Sequence, residues 1–196
     1  MATKVAMPLV VALVVVAGVG WALWRAKFET YHFASVDPGV LYRDGNRGVR
    51  EFAHAVERGK IRTVVCLIDD KELSDKAKPE FAAEMDFARQ RGLKIERIPI
   101  QLGGWPTVAD IDRFLSVVSD KQNQPVLVHC AQGVRRTGMM VAAYQQSVLG
   151  WDDARCKDAI LTFGHSQRTA GDVQRFIEVY DPVTRSVPVD LPVGKE

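Results

Sequence analysis

Short apolar runs alternate with segments of helical periodicity along the chain from about residue 28. The run Thr63–Ile68 is uninterrupted and rich in β-branched residues, which is typical of a strand covered on both faces. The predicted strands are Val40–Arg43, Thr63–Ile68, Lys94–Ile100 and Pro125–His129. The predicted helices are Val49–Arg58, Pro79–Arg91, Thr107–Val118, Gly138–Leu149, Asp152–Phe163 and Asp172–Tyr180. This alternation predicts an α/β fold with a central, mostly parallel sheet flanked by helices.

A separate apolar segment precedes this pattern. Val5–Trp24 carries no charge, and a helix of that length rises about 30 Å, the thickness of a bilayer's hydrocarbon core. We therefore predict an N-terminal transmembrane helix within residues 1–27, which makes the protein a single-pass membrane protein. The following domain is expected on the cytoplasmic side, although the small charge difference across the segment leaves the orientation nearly open. A cleaved secretory signal and a buried core helix are the alternatives.

The rest of the chain is expected to form one domain over residues 28–182 and a loosely ordered tail over residues 183–196. Its 26 basic and 24 acidic residues nearly cancel and are scattered, so we expect no nucleic-acid partner. Three cysteines cannot build a disulfide scaffold. Cys66 and Cys156 are interpreted as small apolar fillers, and no cluster has metal-ligand spacing, so neither a metal nor another cofactor is expected.

The segment most informative about chemistry is Val126–Gly138, with the sequence VLVHCAQGVRRTG. A buried strand leads into Cys130, and five residues later Arg136 and a helical pattern begin. A loop between a strand and a helix N-terminus turns successive backbone N–H groups inward, which makes a cradle for a tetrahedral oxyanion. Gly133 provides a position that a Cβ would obstruct, and Arg136 can grip two phosphate oxygens. The same positive potential favours a thiolate at Cys130, which would be a nucleophile for phosphoryl transfer.

These residues resemble the signature of the cysteine-dependent phosphatase superfamily, His-Cys-x5-Arg-Ser/Thr. Residues 31–180 look like the bacterial dual-specificity type of this superfamily. The resemblance implies that Cys130 forms a phosphocysteine intermediate and that Arg136 binds the phosphoryl oxygens. It also implies that Thr137 hydrogen-bonds the sulfur and that His129 orders the loop. The implied phosphate cradle is Ala131, Gln132, Gly133, Val134, Arg135 and Arg136. A sulfur transferase, or a chance match in a structural loop, is the alternative.

One expected residue is missing. The family normally carries an Asp general acid on a mobile loop before the cysteine, but Pro99–Thr107 contains no carboxylate, and Leu102 occupies the corresponding place. Asp69 and Asp70 follow the strand that ends near Ile68, where ligands bind in such sheets. We favour Asp70 as a substitute acid. Asp69, or no acid at all, stays open. The nearby Asp110 and Asp112 fall within the next helix and are interpreted as capping or solvent-facing.

The resulting interpretation is a membrane-anchored phosphatase that acts on phosphomonoesters. Phosphoproteins are the favoured substrates, above all at phosphotyrosine and in addition at phosphoserine or phosphothreonine. A first alternative is a phosphatase for inositol phosphates, inositol pyrophosphates or phosphoinositides. Ala131 and Val134 weaken that alternative, because many phosphoinositide phosphatases have lysines there. Absence of an acid favours it, because phosphoanhydrides have leaving groups that need little protonation. A non-catalytic phosphate-binding module is the further alternative.

Overall fold

The structure is a computed structural model that describes residues 14–21, 32–45, 48–161 and 167–187. In these ranges a five-stranded sheet has the order β1-β2-β5-β3-β4. Strands β2, β5, β3 and β4 are parallel, and β1 pairs antiparallel with β2 at one edge. The strands are β1 (Ala34–Asp37), β2 (Leu41–Gly45), β3 (Thr63–Cys66), β4 (Lys94–Arg97) and β5 (Val126–Cys130). The prediction of a mostly parallel sheet is therefore confirmed.

Helices lie between the parallel strands and after β5, and they cover both faces of the sheet. They are α1 (Val49–Gly59), α2 (Asp70–Leu73), α3 (Pro79–Gln90), α4 (Val108–Ser119), α5 (Arg135–Ser147), α6 (Asp153–Leu161) and α7 (Gln167–Val179). Side chains alternate across each strand, so Val64 and Leu127 pack with α1 and α3, whereas Val65 and Val128 pack with the helices of the other face. The fold is α/β, as the sequence predicts.

The end of β5 shows why this alternation matters for chemistry. His129 packs its ring against Phe52 of α1, with 5.5 Å between ring centroids, whereas Cys130 belongs to the core on the opposite face. Strand β2 ends opposite Cys130, since Gly45 is paired with it, and β3 ends opposite His129. The carboxyl ends of three parallel strands therefore meet at Cys130, which is where ligands bind in sheets of this kind.

Several predicted boundaries shift in the structure. The predicted strand Lys94–Ile100 ends at Arg97, and α5 begins at Arg135 rather than at Gly138. Neither β1 nor the one-turn helix α2 was predicted from the sequence pattern. Thr107 is the N-cap of α4, and it forms a reciprocal capping box with Asp110, which confirms the capping interpretation of that carboxylate. The division into residues 28–182 and 183–196 stays a prediction.

The prediction of a single-pass membrane protein needs correction. Among the described residues, no helix is long and apolar enough to cross a membrane. Of the predicted anchor, the structure describes residues 14–21, which are helical. The remaining residues of the predicted anchor, 1–13 and 22–27, lie outside the described residues.

Candidate active site

The end of β2 packs against the loop between β5 and α5. Gly133 has a φ of +68°, and a Cβ at this position would overlap the backbone carbonyl oxygen of Asp44. Only glycine fits both this left-handed conformation and this close approach. The buried Arg43 donates a hydrogen bond of 2.7 Å from Nη2 to the carbonyl oxygen of Gly133. The loop is therefore fixed by a strand that the sequence motif does not include.

Cys130 lies at the base of this loop and is only 3% exposed. Burial alone would raise the pKa of its thiol, but the charge of Arg136 acts in the opposite direction. The hydroxyl and the backbone N–H of Thr137 and the backbone N–H of Val134 also lower it, so the net pKa lies below the usual value of a thiol. Among the described residues, no nitrogen or oxygen atom forms a hydrogen bond with the Thr137 hydroxyl. The loop thus favours a thiolate at Cys130.

Arg136 is held in a fixed orientation by Glu72, a residue that was not among the site residues predicted from the sequence. Its Nη1 donates to Glu72 Oε2 at 2.5 Å, and its Nη2 donates to Glu72 Oε1 at 3.2 Å. Nη1 also donates to the carbonyl oxygen of Ile100 at 3.0 Å. Burial lowers the pKa of Arg136, but the hydrogen bonds of Glu72 and the charges of Cys130, Glu72 and Asp69 outweigh this effect and raise it. The guanidinium is therefore a permanent cation, and one of its edges is hydrogen-bonded to Glu72.

His129 lies beneath the loop and is buried. It is 1% exposed, and its Nδ1 lies 4.0 Å from a carboxylate oxygen of Glu84, which is itself fully buried. Burial lowers the pKa of His129 to about 4, with smaller contributions from the charges of Arg97 and Arg136. The ring is therefore neutral at physiological pH. This position suits a residue that supports the loop rather than one that exchanges protons with a substrate.

The remaining cradle residues have different surroundings. Ala131 is half-buried, Val134 is buried, and Gln132 is exposed, with its carbonyl oxygen 2.7 Å from Nδ1 of His32. Arg135 is bound on every side of its guanidinium. Its Nε donates to Asp172 at 2.7 Å, and its Nη atoms donate to the carbonyl oxygens of Gly103 and Gly104 at 2.6 and 2.8 Å. Arg135 thus anchors the Pro99–Thr107 loop in this structure.

Asp69 and Asp70 both line a cleft of about 1010 Å³, together with Glu72, Lys71 and Lys78. Asp69 is the N-cap of α2 and accepts hydrogen bonds from the backbone N–H groups of Glu72 and Leu102, at 2.8 and 3.2 Å. Burial would raise the pKa of Asp69, but these N–H groups, the charge of Arg136 and the N–H of Lys71 lower it overall.

Asp70 faces solvent. Its side chain is 85% exposed, and it accepts a hydrogen bond of 2.6 Å from Nη2 of Arg97. Asp112 pairs with Arg185 at 3.0 Å on the surface. Both carboxylates are therefore engaged as hydrogen-bond acceptors, and the lowered pKa of Asp69 disfavours a protonated acid at that position. Within the described residues, no group of three or more His, Cys, Asp or Glu side chains could hold a metal ion.

Comparison with known families identifies this arrangement. A family model described as DSP-PTPase phosphatase fused to NAD+ kinase matches residues 41–178, which include every strand of the parallel part of the sheet. The chain belongs to this family. Membership of the DSP-PTPase family confirms the prediction of a cysteine-dependent phosphatase of the dual-specificity-like class.

Curated relatives support the same assignment. The chain is 30% identical over 154 residues to inositol diphosphatase DSP1 of Oryza sativa subsp. japonica, which is 76% of this chain and 64% of that protein. It is 26% identical over 148 residues to inositol diphosphatase SIW14 of Saccharomyces cerevisiae, which is 73% of this chain and 49% of that protein. The match thus spans about half to two thirds of the length of these two relatives.

Solved structures share the fold of this DSP-PTPase member. The core catalytic domain of the PP-IP phosphatase SIW14 from S. cerevisiae, in complex with citrate, superposes with a TM-score of 0.63 at 24% identity. The alignment covers 78% of this chain and 87% of that one. TpbA of P. aeruginosa superposes with a TM-score of 0.60 at 21% identity, over 79% of this chain and 89% of that one.

Proposed function

We propose that the chain hydrolyses the phosphoanhydride bond of inositol diphosphates, rather than phosphoesters of proteins. One observation carries this proposal: in the described part of the chain, the carboxylates of Glu72, Asp69 and Asp70 are all engaged as hydrogen-bond acceptors. None of the three is therefore free to protonate a leaving alcohol. Both curated relatives described above are named inositol diphosphatases, which supports the same substrate class. The interpretation as a phosphoprotein phosphatase has no comparable support.

In the proposed reaction the Cys130 thiolate attacks the terminal phosphorus of the diphosphate group. A sulfur–phosphorus bond forms, the bridging oxygen–phosphorus bond breaks, and its electron pair stays on the departing inositol phosphate. Arg136 binds two of the transferring oxygens, and the backbone N–H groups of residues 131–136 bind the developing charge. The Thr137 hydroxyl then stabilises the sulfur as it leaves again. His129 contributes by keeping the loop in place.

The second step regenerates the enzyme. Water attacks the phosphocysteine, the sulfur–phosphorus bond breaks, and orthophosphate leaves with the oxygen of that water, whose proton passes to phosphate or solvent. The thiolate of Cys130 is restored. Neither step requires a proton from the protein, because a phosphate is a far better leaving group than an alkyl alcohol. The chemistry thus matches a site in which Asp69 and Asp70 are held as acceptors.

The cradle itself offers fewer cations than many phosphoinositide phosphatases, since Ala131 and Val134 are uncharged. Within the adjacent cleft, the carboxylate of Glu72 is neutralised by Arg136 and that of Asp70 by Arg97. Lys71 and Lys78 also line this cleft. Asp69 and Asp75 line the cleft as well, so its lining charges balance overall. We assign the remaining phosphates of the substrate to direct ion pairs with Lys71 and Lys78, the two ammonium groups of the cleft.

The test is a substrate comparison with the purified full chain. An inositol diphosphate, inositol hexakisphosphate, a phosphotyrosine peptide and p-nitrophenyl phosphate are compared by kcat/KM, with Cys130→Ser as the inactive control. The expected result is a preference of roughly 100-fold or more for the diphosphate over the phosphopeptide, because only the phosphopeptide needs an acid. A phosphopeptide hydrolysed as efficiently as the diphosphate would overturn the proposal.

A further inference from the structure

Residues 101–104 form a tight turn in the loop between β4 and α4. The N–H of Gly104 donates to the carbonyl oxygen of Gln101 at 2.8 Å, and Gly103 has a φ of +78°, which favours glycine at that place in the turn. Gln101 and Leu102 line the cleft to which the remaining phosphates of the substrate are assigned, and Leu102 is 53% exposed. The position of this turn therefore sets the shape of one wall of the cleft.

On either side of the turn, the loop is fixed by buried neighbours. The N–H of Ile100 donates to the carbonyl oxygen of Leu67 at 3.2 Å, and both residues belong to the core. Beyond the turn, the Trp105 ring packs against Phe176 of α7, with 5.7 Å between ring centroids. The turn itself lacks such packing, since two of its four residues are glycines and the other two are exposed. Its position therefore depends on hydrogen bonds to side chains of other elements.

Arg135 holds this turn from the start of α5, and Asp172 of α7 holds Arg135. The Nη atoms donate to the carbonyl oxygens of Gly103 and Gly104, and Nε donates to Asp172 Oδ2 at 2.7 Å. The Arg135 and Asp172 side chains are only 15% and 32% exposed, so this ion pair is screened less than one on the open surface. An arginine has many rotamers, and the Asp172 carboxylate favours the one in which both Nη atoms reach the turn.

We propose that Asp172 is a positioning residue for the substrate. It is not among the described residues that line the cleft, and it acts through Arg135, which fixes the turn of residues 101–104. The wall formed by Gln101 and Leu102 is thus in place before the substrate arrives, which lowers KM because binding does not have to order the turn. The inference rests on the proposed function in one respect: the substrate must be large enough to extend from Cys130 into the cleft.

The kinetic test compares Asp172→Ala with the wild-type full chain on a large and a small substrate. KM for an inositol diphosphate should rise roughly tenfold, because a charge-assisted hydrogen bond to Arg135 is lost, whereas kcat should change much less. KM for p-nitrophenyl phosphate should also change much less, since a single aryl ring covers little of a cleft of about 1010 Å³. Asp172→Asn keeps a neutral acceptor for Nε, so its KM for the diphosphate should lie between the other two values. Glu178→Gln is the matched control, because it removes a different ion pair of α7, the one with Lys157 at 2.7 Å.

Amide hydrogen exchange of residues 99–107 gives a second readout that needs no substrate. In Asp172→Ala, the N–H groups of Leu102 and Gly104 should exchange roughly tenfold faster than in the wild type and in Glu178→Gln, because the turn opens more often. Unchanged exchange in both folded Asp172 variants would contradict the proposal. So would an unchanged KM for the diphosphate, or an equal rise in KM for both substrates. A wild-type chain that does not hydrolyse the diphosphate would instead contradict the proposed function, and the exchange comparison would still decide whether Asp172 fixes the turn.

Discussion

Glu72 binds Arg136 through both of its carboxylate oxygens, and the two side chains are only 8% and 4% exposed. The contact joins α2 to the first turn of α5 across 64 residues of sequence. It fixes the plane of the guanidinium before any phosphate arrives. An arginine that must grip two oxygens of a transferring phosphoryl group gains from such prior orientation, because a misplacement of about 1 Å can cost 100-fold in rate.

Replacement of this carboxylate should therefore impair catalysis. Glu72→Gln keeps the size of the side chain but removes the charge, so Arg136 loses its main partner. We expect kcat/KM to fall by roughly 10- to 100-fold and the free energy of unfolding to fall by about 3 kcal/mol. Kinetics and urea unfolding measure the two effects. Asp75→Asn is the control, because Asp75 lines the same cleft without an ion pair to an arginine among the described residues.

Comparing the activity of Glu72→Gln with its stability shows whether Glu72 orients Arg136 for catalysis or only stabilises the fold. If Glu72→Gln loses stability but keeps the full kcat/KM at a temperature where it is folded, then Glu72 has a structural role only. Glu72→Asp should recover part of the activity, because it restores the charge although its side chain is shorter.

The proposed nucleophile, Cys130, and the proposed phosphate-binding residue, Arg136, can be tested directly. Cys130→Ser should lose turnover of p-nitrophenyl phosphate, since a serine hydroxyl stays protonated where the thiol ionises, while phosphate binding should survive. Arg136→Lys should be nearly as inactive, because an ammonium cannot replace the bidentate fork. Steady-state rates and phosphate titration by calorimetry measure both. Appreciable turnover by Cys130→Ser would exclude the phosphocysteine mechanism.

Leaving-group dependence tests whether the protein supplies an acid. Because Asp70 is exposed and bonded to Arg97, Asp70→Asn should change kcat/KM by less than roughly tenfold for a phosphotyrosine peptide and for p-nitrophenyl phosphate alike. Asp110→Asn serves as the control. A general acid would instead show a loss of about 10²–10⁴-fold on the peptide and a much smaller loss on the nitrophenyl substrate. That pattern would restore Asp70 as the acid.

The sequence predicted the parts of the site that are local and missed those that are not. The segment from His129 to Thr137 is continuous in sequence, so its strand, loop and helix could be predicted together. Thr107 and Asp110 are also close in sequence, so they could be predicted as a helix cap. Glu72 and Arg43 reach the loop from other elements, and nothing in their own neighbourhood distinguishes them from surface charges. The Asp69-x-x-Glu72 spacing is the signal that a helix starts there, but it does not reveal that Glu72 faces inward.

Gly133 and Gly39 form a matched pair for testing how tightly β2 supports the loop. Both have positive φ, +68° and +79°, but a Cβ at Gly39 would meet open space, whereas at Gly133 it would overlap the Asp44 carbonyl oxygen. Gly39→Ala should cost about 1–2 kcal/mol for the left-handed conformation alone. Gly133→Ala should cost about 1–3 kcal/mol more and weaken phosphate binding. Equal losses in the two variants would show that the loop can move away from β2.

Asp44 is a buried carboxyl group that the proposed reaction does not use. It is 1% exposed, and burial raises its pKa well above the usual value, although the backbone N–H of Gly45 partly opposes this by donating to Oδ1 at 2.8 Å. The folded chain therefore retains a proton that the unfolded chain loses once the pH exceeds about 4. Stability that depends on this proton is present at low pH and is lost as the pH rises towards the folded pKa.

Asp44→Asn should remove this dependence, because asparagine stays neutral and keeps the oxygen that accepts from Gly45. At pH 7 the variant should be more stable by about 1–4 kcal/mol, since each pKa unit corresponds to about 1.4 kcal/mol, and the advantage should vanish near pH 4.

The contribution of His129 to the pH dependence of stability has the opposite sign, because its lowered pKa of about 4 makes the folded state lose stability as the pH falls below about 6.5. Both proteins contain His129, so its contribution cancels in their difference. Urea unfolding at several pH values measures that difference, with Asp158→Asn on the exposed side of α6 as the control. A difference that stays constant with pH would mean that Asp44 is ionised in the folded chain.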